Sequence, residues 1–181
     1  MKNIAIKVSL ITLLVCATAH AASPVIGAGG TIDFTGKVVD TACAVDISSA
    51  DQNIDLGEVR LTGFSTGKTS PKTSFTIKLG DCDSAIAATA KFGFTGQTVS
   101  GDTSTLENLD AGANSAEGVG IQLMDLTGDA IVIDGSFGEG TALTLNDGEN
   151  IASFSAMMTA LTDTVKAGSV HSTVNFKIQY E

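Results

Sequence analysis

Tryptophan is absent from this 181-residue chain, tyrosine occurs once (Tyr180), and proline twice, at Pro24 and Pro71. Of two histidines, His20 falls in the first twenty residues, leaving His171 as the one histidine of the remaining chain. Arginine is represented only by Arg60. Each shortage removes a class of function. A Ser-His-Asp triad would have to rest on His171 alone, and its place just before a terminal apolar stretch reads as surface. Zinc sites draw on several His or Cys ligands, which are missing. A sugar cleft commonly offers aromatic rings for stacking, and this chain has almost none to offer. A formal charge of −10 with little arginine leaves no electrostatic footprint for nucleic acid or anionic lipid. Paired acidic residues such as Asp125/Asp129 and Asp147/Glu149 do not match the calcium-loop spacing and read as turn chemistry. No catalytic residue, metal site or cofactor is expected.

The first stretch reads as a removable leader. Lys2 and Lys7 supply a positive start, Val8 to Ala19 an apolar run, and Ala19-His20-Ala21 a small-residue cleavage site. The run is shorter than the ~20 residues a spanning helix needs. Residues 1–21 are therefore expected to be a signal peptide, with the mature chain starting at Ala22 or the next residue. That leaves 160 residues, enough for one domain with a real core. Losing two lysines takes the charge to −12. Two cysteines survive, Cys43 and Cys82. An even pair in an exported protein reads as a structural disulfide, here closing a loop of 38 intervening residues.

Short alternating runs separated by Gly, Asp and Asn indicate an all-β chain. Strands are expected over residues 31–39, 54–59, 74–79, 91–95, 119–124, 130–133, 143–145, 151–157 and 174–180. Asp147-Gly148 within the loop 146–149 signals a hairpin between its flanking strands. Residues 83–90 are Ala-rich and suggest a turn of helix, whereas 98–116 read as a long surface loop. Eight to ten short strands in a chain of this size suggest a β-sandwich.

Both ends of the exported chain are apolar strands. Ile26, Ala28, Gly30, Ile32 and Phe34 fall at every second position, as do Val174, Phe176, Ile178 and Tyr180. Alternation places each set on one face. Chain termini are usually polar and frayed. The N-terminal set admits two readings: a tail leading into an edge strand, or a strand lent to complete another fold.

The run from Gly29 to Val45, GGTIDFTGKVVDTACAV, resembles the start of a type 1 fimbrial subunit. Leu56-Gly-Glu-Val59, Phe75-Thr-Ile-Lys-Leu-Gly-Asp-Cys82, Gly118-Val-Gly-Ile-Gln-Leu-Met-Asp125 and the ending Val174-Asn-Phe-Lys-Ile-Gln-Tyr180 resemble further motifs of that family, in order. The overall pattern is most similar to the major rod-forming subunit of type 1 pili. The resemblance implies an immunoglobulin-like pilin sandwich over residues 35–181 that lacks its final strand. It also implies a donor-strand extension over residues 22–34. The gap exposes core side chains and unpaired backbone groups, which an incoming strand covers; chaperone–pilin complementation is a recognised mode of strand addition. On this resemblance Ile26, Ala28, Gly30, Ile32 and Phe34 face a neighbour's groove, with Val25 an alternative to Ile26 as the terminal anchor. Val174, Phe176, Ile178 and Tyr180 line the groove edge and offer it to the chaperone. The implied partners are neighbouring pilin subunits, a periplasmic chaperone and an outer-membrane usher, with export through the periplasm to a surface fimbria. A minor adaptor subunit of the same fibre, and a small exported sugar- or receptor-binding sandwich, are the alternative readings.

Overall fold

Phe154 sits at the centre of the core, 2% exposed, with three phenylalanine rings around it. Phe75 stacks on it at 5.7 Å, while Phe92 and Phe94 meet it edge-on, each at 5.3 Å. Edge-to-face pairs of this kind add roughly 0.5–1.5 kcal/mol each beyond the area they bury. The rings belong to two different sheets, so this cluster joins the halves of the molecule.

The computed structural model describes residues 27–181. The leader expected over residues 1–21, and Val25 and Ile26, lie outside them. Contacts divide the chain into an N-terminal unit ending at Lys37 and a body over residues 38–181. Residues 27–37 form neither helix nor strand, and Ile32 and Phe34 are 76% and 90% exposed.

The body contains β1 (Ala44–Val45), α1 (Ile47–Ala50), β2 (Thr73–Cys82), β3 (Thr89–Gly96), β4 (Thr105–Glu107), β5 (Val119–Met124), β6 (Ala142–Thr144), β7 (Gly148–Ala160) and β8 (Val174–Tyr180). A five-stranded sheet has the order β1-β2-β7-β5-β4, and a three-stranded sheet the order β6-β3-β8. All named pairs are antiparallel. Period-two patterning explains the packing. Phe75, Ile77 and Leu79 of β2 alternate inward, opposite Phe154, Ala152 and Asn150 of β7. From the other sheet, Ala90, Phe92 and Phe94 of β3 point into the same core. The all-β sandwich expected from the sequence is the fold observed.

The disulfide Cys43–Cys82 forms between the residue preceding β1 and the end of β2, with Cα atoms 4.1 Å apart. Both cysteines are buried in the main core.

Several local expectations are corrected. Residues 31–39 form no strand: alternation marks a face, but a strand also needs a ladder partner, and the described residues provide none. Residues 54–59 form no strand either. Asp55 Oδ1 accepts the Gly57 N–H at 2.8 Å, and Gly57 has φ +69°, so a side-chain turn breaks the extended run. Residues 83–90 make turns rather than helix, ended by the start of β3 at Thr89. An α-helical turn forms instead at α1, whose N-cap Asp46 accepts from the Ser48 N–H. The expected loop 98–116 contains β4, in which Thr105 and Leu106 are buried. Residues 130–133 are held by an isolated bridge at Ala130 rather than a full strand, although Ile131 and Ile133 reach the core. The loop 146–149 is not a hairpin. β6 pairs with β3 and β7 with β2 and β5, so the loop crosses between sheets. Asn150 clamps it, accepting the Asn146 N–H at 2.9 Å and donating to the Asn146 carbonyl at 2.6 Å.

Candidate functional site

β8 ends the three-stranded sheet, with β3 on one side and, among the described residues, no strand on the other. Its alternation is visible in burial: Val174, Phe176, Ile178 and Tyr180 are half-buried, while Asn175, Lys177 and Gln179 are exposed. The backbone alternates as well. Glu181 and Thr89 exchange both N–H···O bonds, each 2.9 Å. In an antiparallel ladder such pairs recur at every second residue. In register with them, Gln179, Lys177 and Asn175 turn their backbone groups toward β3. Val174, Phe176, Ile178 and Tyr180 therefore turn theirs outward, along the open edge. The four residues that send side chains inward are thus the four that leave N–H and C=O groups to be paired.

Beside this edge lies a groove of about 1090 Å³. Its volume is at the upper end of ordinary ligand sites, which run to roughly 1,000 Å³. The floor is core: Ile77 from β2, Phe94 from β3, Ile121 and Leu123 from β5, Met158 from β7. Val174 and Phe176 form part of one wall, and the segment 52–59 part of another. Ile77 and Phe94 are buried at its base, and a cleft that reaches the core beside an open strand edge is of the kind that binds a partner.

Residues 165–173 complete the lining and are firmly tied. Asn108 donates from Nδ2 to the carbonyls of Ala116 (2.9 Å) and Ser169 (3.1 Å), and its Oδ1 accepts the His171 N–H at 2.9 Å. Gly168 passes so close to residues 114–116 that a Cβ there would lie 2.3–2.4 Å from their backbone atoms. This contact admits only glycine without displacing the main chain.

The groove brings together Val174 and Phe176 of the four residues expected at its edge. Ile178 and Tyr180 do not line it; they pack against the main core. The Tyr180 hydroxyl lies 3.4 Å from the Cys43 carbonyl, and burial raises the phenol pKa. Sequence reasoning missed Leu106, Val165 and Val170 as lining residues, since they sit in segments with no strand periodicity. Leu56 was visible within the Leu-Gly step, and His171, exposed as expected, lines the groove.

Carboxylates on the body serve turns. Hydrogen bonds from the Ser48 side chain and backbone hold Asp46 below the ordinary 3.8, and those of Ser136 and Ser84 do the same for Asp134 and Asp147. Asp102 is lowered by Thr105 and then Ser104. For Asp125, burial works upward, but bonds from Thr127, Asp129 and Gly128 outweigh it. Each depressed carboxyl contributes stability above its unfolded pKa, and that contribution is lost as pH falls through its folded value. The thermal midpoint is expected to hold from about pH 7 to about pH 5 and to fall below about pH 4. Circular dichroism melts across pH test this, and a decline beginning above about pH 5 would assign the acid sensitivity to other groups. Among the described residues no group of three His, Cys, Asp or Glu is placed to hold a metal.

The fimbrial protein family matches residues 32–181. The chain is 39% identical over 184 residues to the type-1 fimbrial protein A chain of Escherichia coli strain K12, covering 100% of this chain and 99% of that protein. It superposes on a subunit of a chaperone–usher pilus with a TM-score of 0.72 and 32% identity, covering 88% of this chain and 100% of that one. The P pilus rod subunit PapA gives a TM-score of 0.66 at 29% identity, over 78% of this chain and 100% of that one. The sandwich is accordingly the immunoglobulin-like pilin fold. On these matches the chain belongs to the fimbrial protein family, as a structural subunit of an adhesive surface pilus that polymerises with other subunits.

Proposed function

We propose that the groove beside β8 accepts an extended strand from another molecule, and that residues 22–34 are the strand this subunit lends in turn. The observation that carries this reading is the coincidence at Val174 and Phe176 of inward side chains, an open groove and outward backbone groups. An added strand pairs the outward N–H and C=O groups and covers the apolar floor in one step. The lent face is Ile26, Ala28, Gly30, Ile32 and Phe34. Ile32 and Phe34 are exposed in the chain that carries them. Full burial would stabilise a fibre by roughly 1.5–3 kcal/mol for each. A Cβ at Gly30 would meet nothing within 4 Å in its own chain, so the small residue answers to no constraint at home and suits a shallow pocket in a neighbour.

Before assembly the same groove would be filled by a strand of a periplasmic chaperone, which hands the subunit to an outer-membrane usher. One unlike surface added to another does not close on itself, so repetition yields a helical filament. Similarity to the A chain and to a rod subunit favours the rod over the adaptor position. Deleting residues 22–34 tests the reading. The variant is expected to accumulate as a folded chaperone-bound subunit and to be missing from purified fibres. Incorporation at the wild-type level, seen by electron microscopy and immunoblot, would overturn it.

A further inference from the structure

β8 is not the only strand whose edge runs beside the groove. β2 contributes Phe75 and Ile77 to the lining, and its outer edge is covered by β1 over only two residues, Leu79 and Gly80. Beyond Val45 the chain leaves the sheet to form α1, so the edge at Lys78 and Thr76 should be bare. A bare edge is a template for pairing with another chain. In this fold side chains occupy it. The Asp46 N–H donates to the Lys78 carbonyl at 3.0 Å. Ser49 Oγ then accepts the Lys78 N–H at 2.9 Å, and Gln52 Nε2 donates to the Thr76 carbonyl at 2.9 Å. Ser49 is 3% exposed, so its hydroxyl bonds Lys78 away from water. The single turn of α1, capped by Asp46, sets Ser49 on the strand. Two side chains thus replace the rungs of an absent strand, and both residues also line the groove.

We infer that Ser49 and Gln52 determine where an incoming strand pairs: they close the edge of β2, so that an extended segment of a second copy adds to β8 and not to the five-stranded sheet. The inference rests on the strand-donation reading. A strand added to β2 would extend the wrong sheet and leave the outward groups of Val174 and Phe176 unpaired. Side chains suit the task because they satisfy β2 without presenting a new edge of their own.

Hydrogen exchange resolved by residue tests this with the full-length subunit and a synthetic peptide of residues 22–36. In the wild type, the peptide is expected to slow exchange at the Phe176 and Ile178 amides by at least about tenfold and to leave Ser74 and Thr76 unchanged. In Ser49→Ala/Gln52→Ala, the amides of Ser74, Thr76 and Lys78 should gain protection of about tenfold as well. Gln52→Ala alone removes an exposed side chain and keeps the buried hydroxyl; it should show a smaller gain at Thr76, about threefold, and serves if the double variant does not fold. Protection at Phe176 and Ile178 with no gain at Thr76 in a folded variant overturns the role of Ser49 and Gln52 alone. Protection at neither edge in any protein overturns strand donation, and this inference with it.

Discussion

Phe34→Asp is expected to abolish polymerisation while leaving the body folded. Phe34 lies in the N-terminal unit, outside the body, and is 90% exposed. In a fibre the same side chain is expected to lie on the floor of a neighbour's groove. The substitution removes roughly 1.5–3 kcal/mol of burial. It also places a carboxylate against a floor of Ile77, Phe94, Ile121, Leu123 and Met158, while the lysine of the lining, Lys166, is already paired with Glu117 at 2.6 Å, and an uncompensated buried charge costs at least several kcal/mol more. At 1.4 kcal/mol per factor of ten, the combined effect is a loss of at least about a thousandfold in strand affinity. The native chain already carries an acid next door, Asp33, on the opposite face. Parity therefore supplies the control: Thr35→Asp adds the same charge beside Asp33 and should assemble normally. Fibres per cell, counted by electron microscopy against subunit abundance, decide the matter. Normal fibres from Phe34→Asp would remove Phe34 from the donor face, and equal loss from both variants would point to charge alone.

Cys43→Ser is expected to reduce the folded subunit at least tenfold. On the chain-entropy model, a bridge across 39 residues is worth about 4 kcal/mol. Whole domains are stable by only about 5–15 kcal/mol. A sandwich left open at a groove of about 1090 Å³ starts with less than a sealed one. The bridge also holds β1 against the end of β2, and so sets the point at which the chain turns into α1 and the edge of β2 is covered. Immunoblots of exported subunit, compared with Cys43→Ser/Cys82→Ser to exclude effects of a stray thiol, measure the loss. Wild-type abundance in both variants would show the bridge to be dispensable.

These two positions also show how far local pattern reaches. The cysteine pair was legible because an exported chain with two cysteines has one pairing to make. The face of β8 was legible because alternation at Val174, Phe176, Ile178 and Tyr180 is a property of consecutive residues. The same rule failed over residues 31–39 and 54–59, where alternation is present but no ladder is. It failed again at the loop 146–149. Asp147-Gly148 does turn there, with Gly148 at φ +88°, but the strands on either side belong to different sheets. β4 was hidden because three residues are too few to show a period. The closure of the β2 edge was invisible for a similar reason. Ser49 and Gln52 are unremarkable polar residues until folding sets them beside Lys78 and Thr76, 29 and 24 positions away.

By itself the sequence determined the class of protein: β-strands from period-two alternation, and a bridged domain from its cysteine pair. Tertiary structure alone decided which strands meet, that β8 ends a sheet with its backbone groups turned outward, and that the core opens into a groove at that place. The division has a physical cause. Alternation, composition and turn propensity act between neighbours in the chain, whereas an edge or a groove exists only where segments far apart in sequence fail to cover one another.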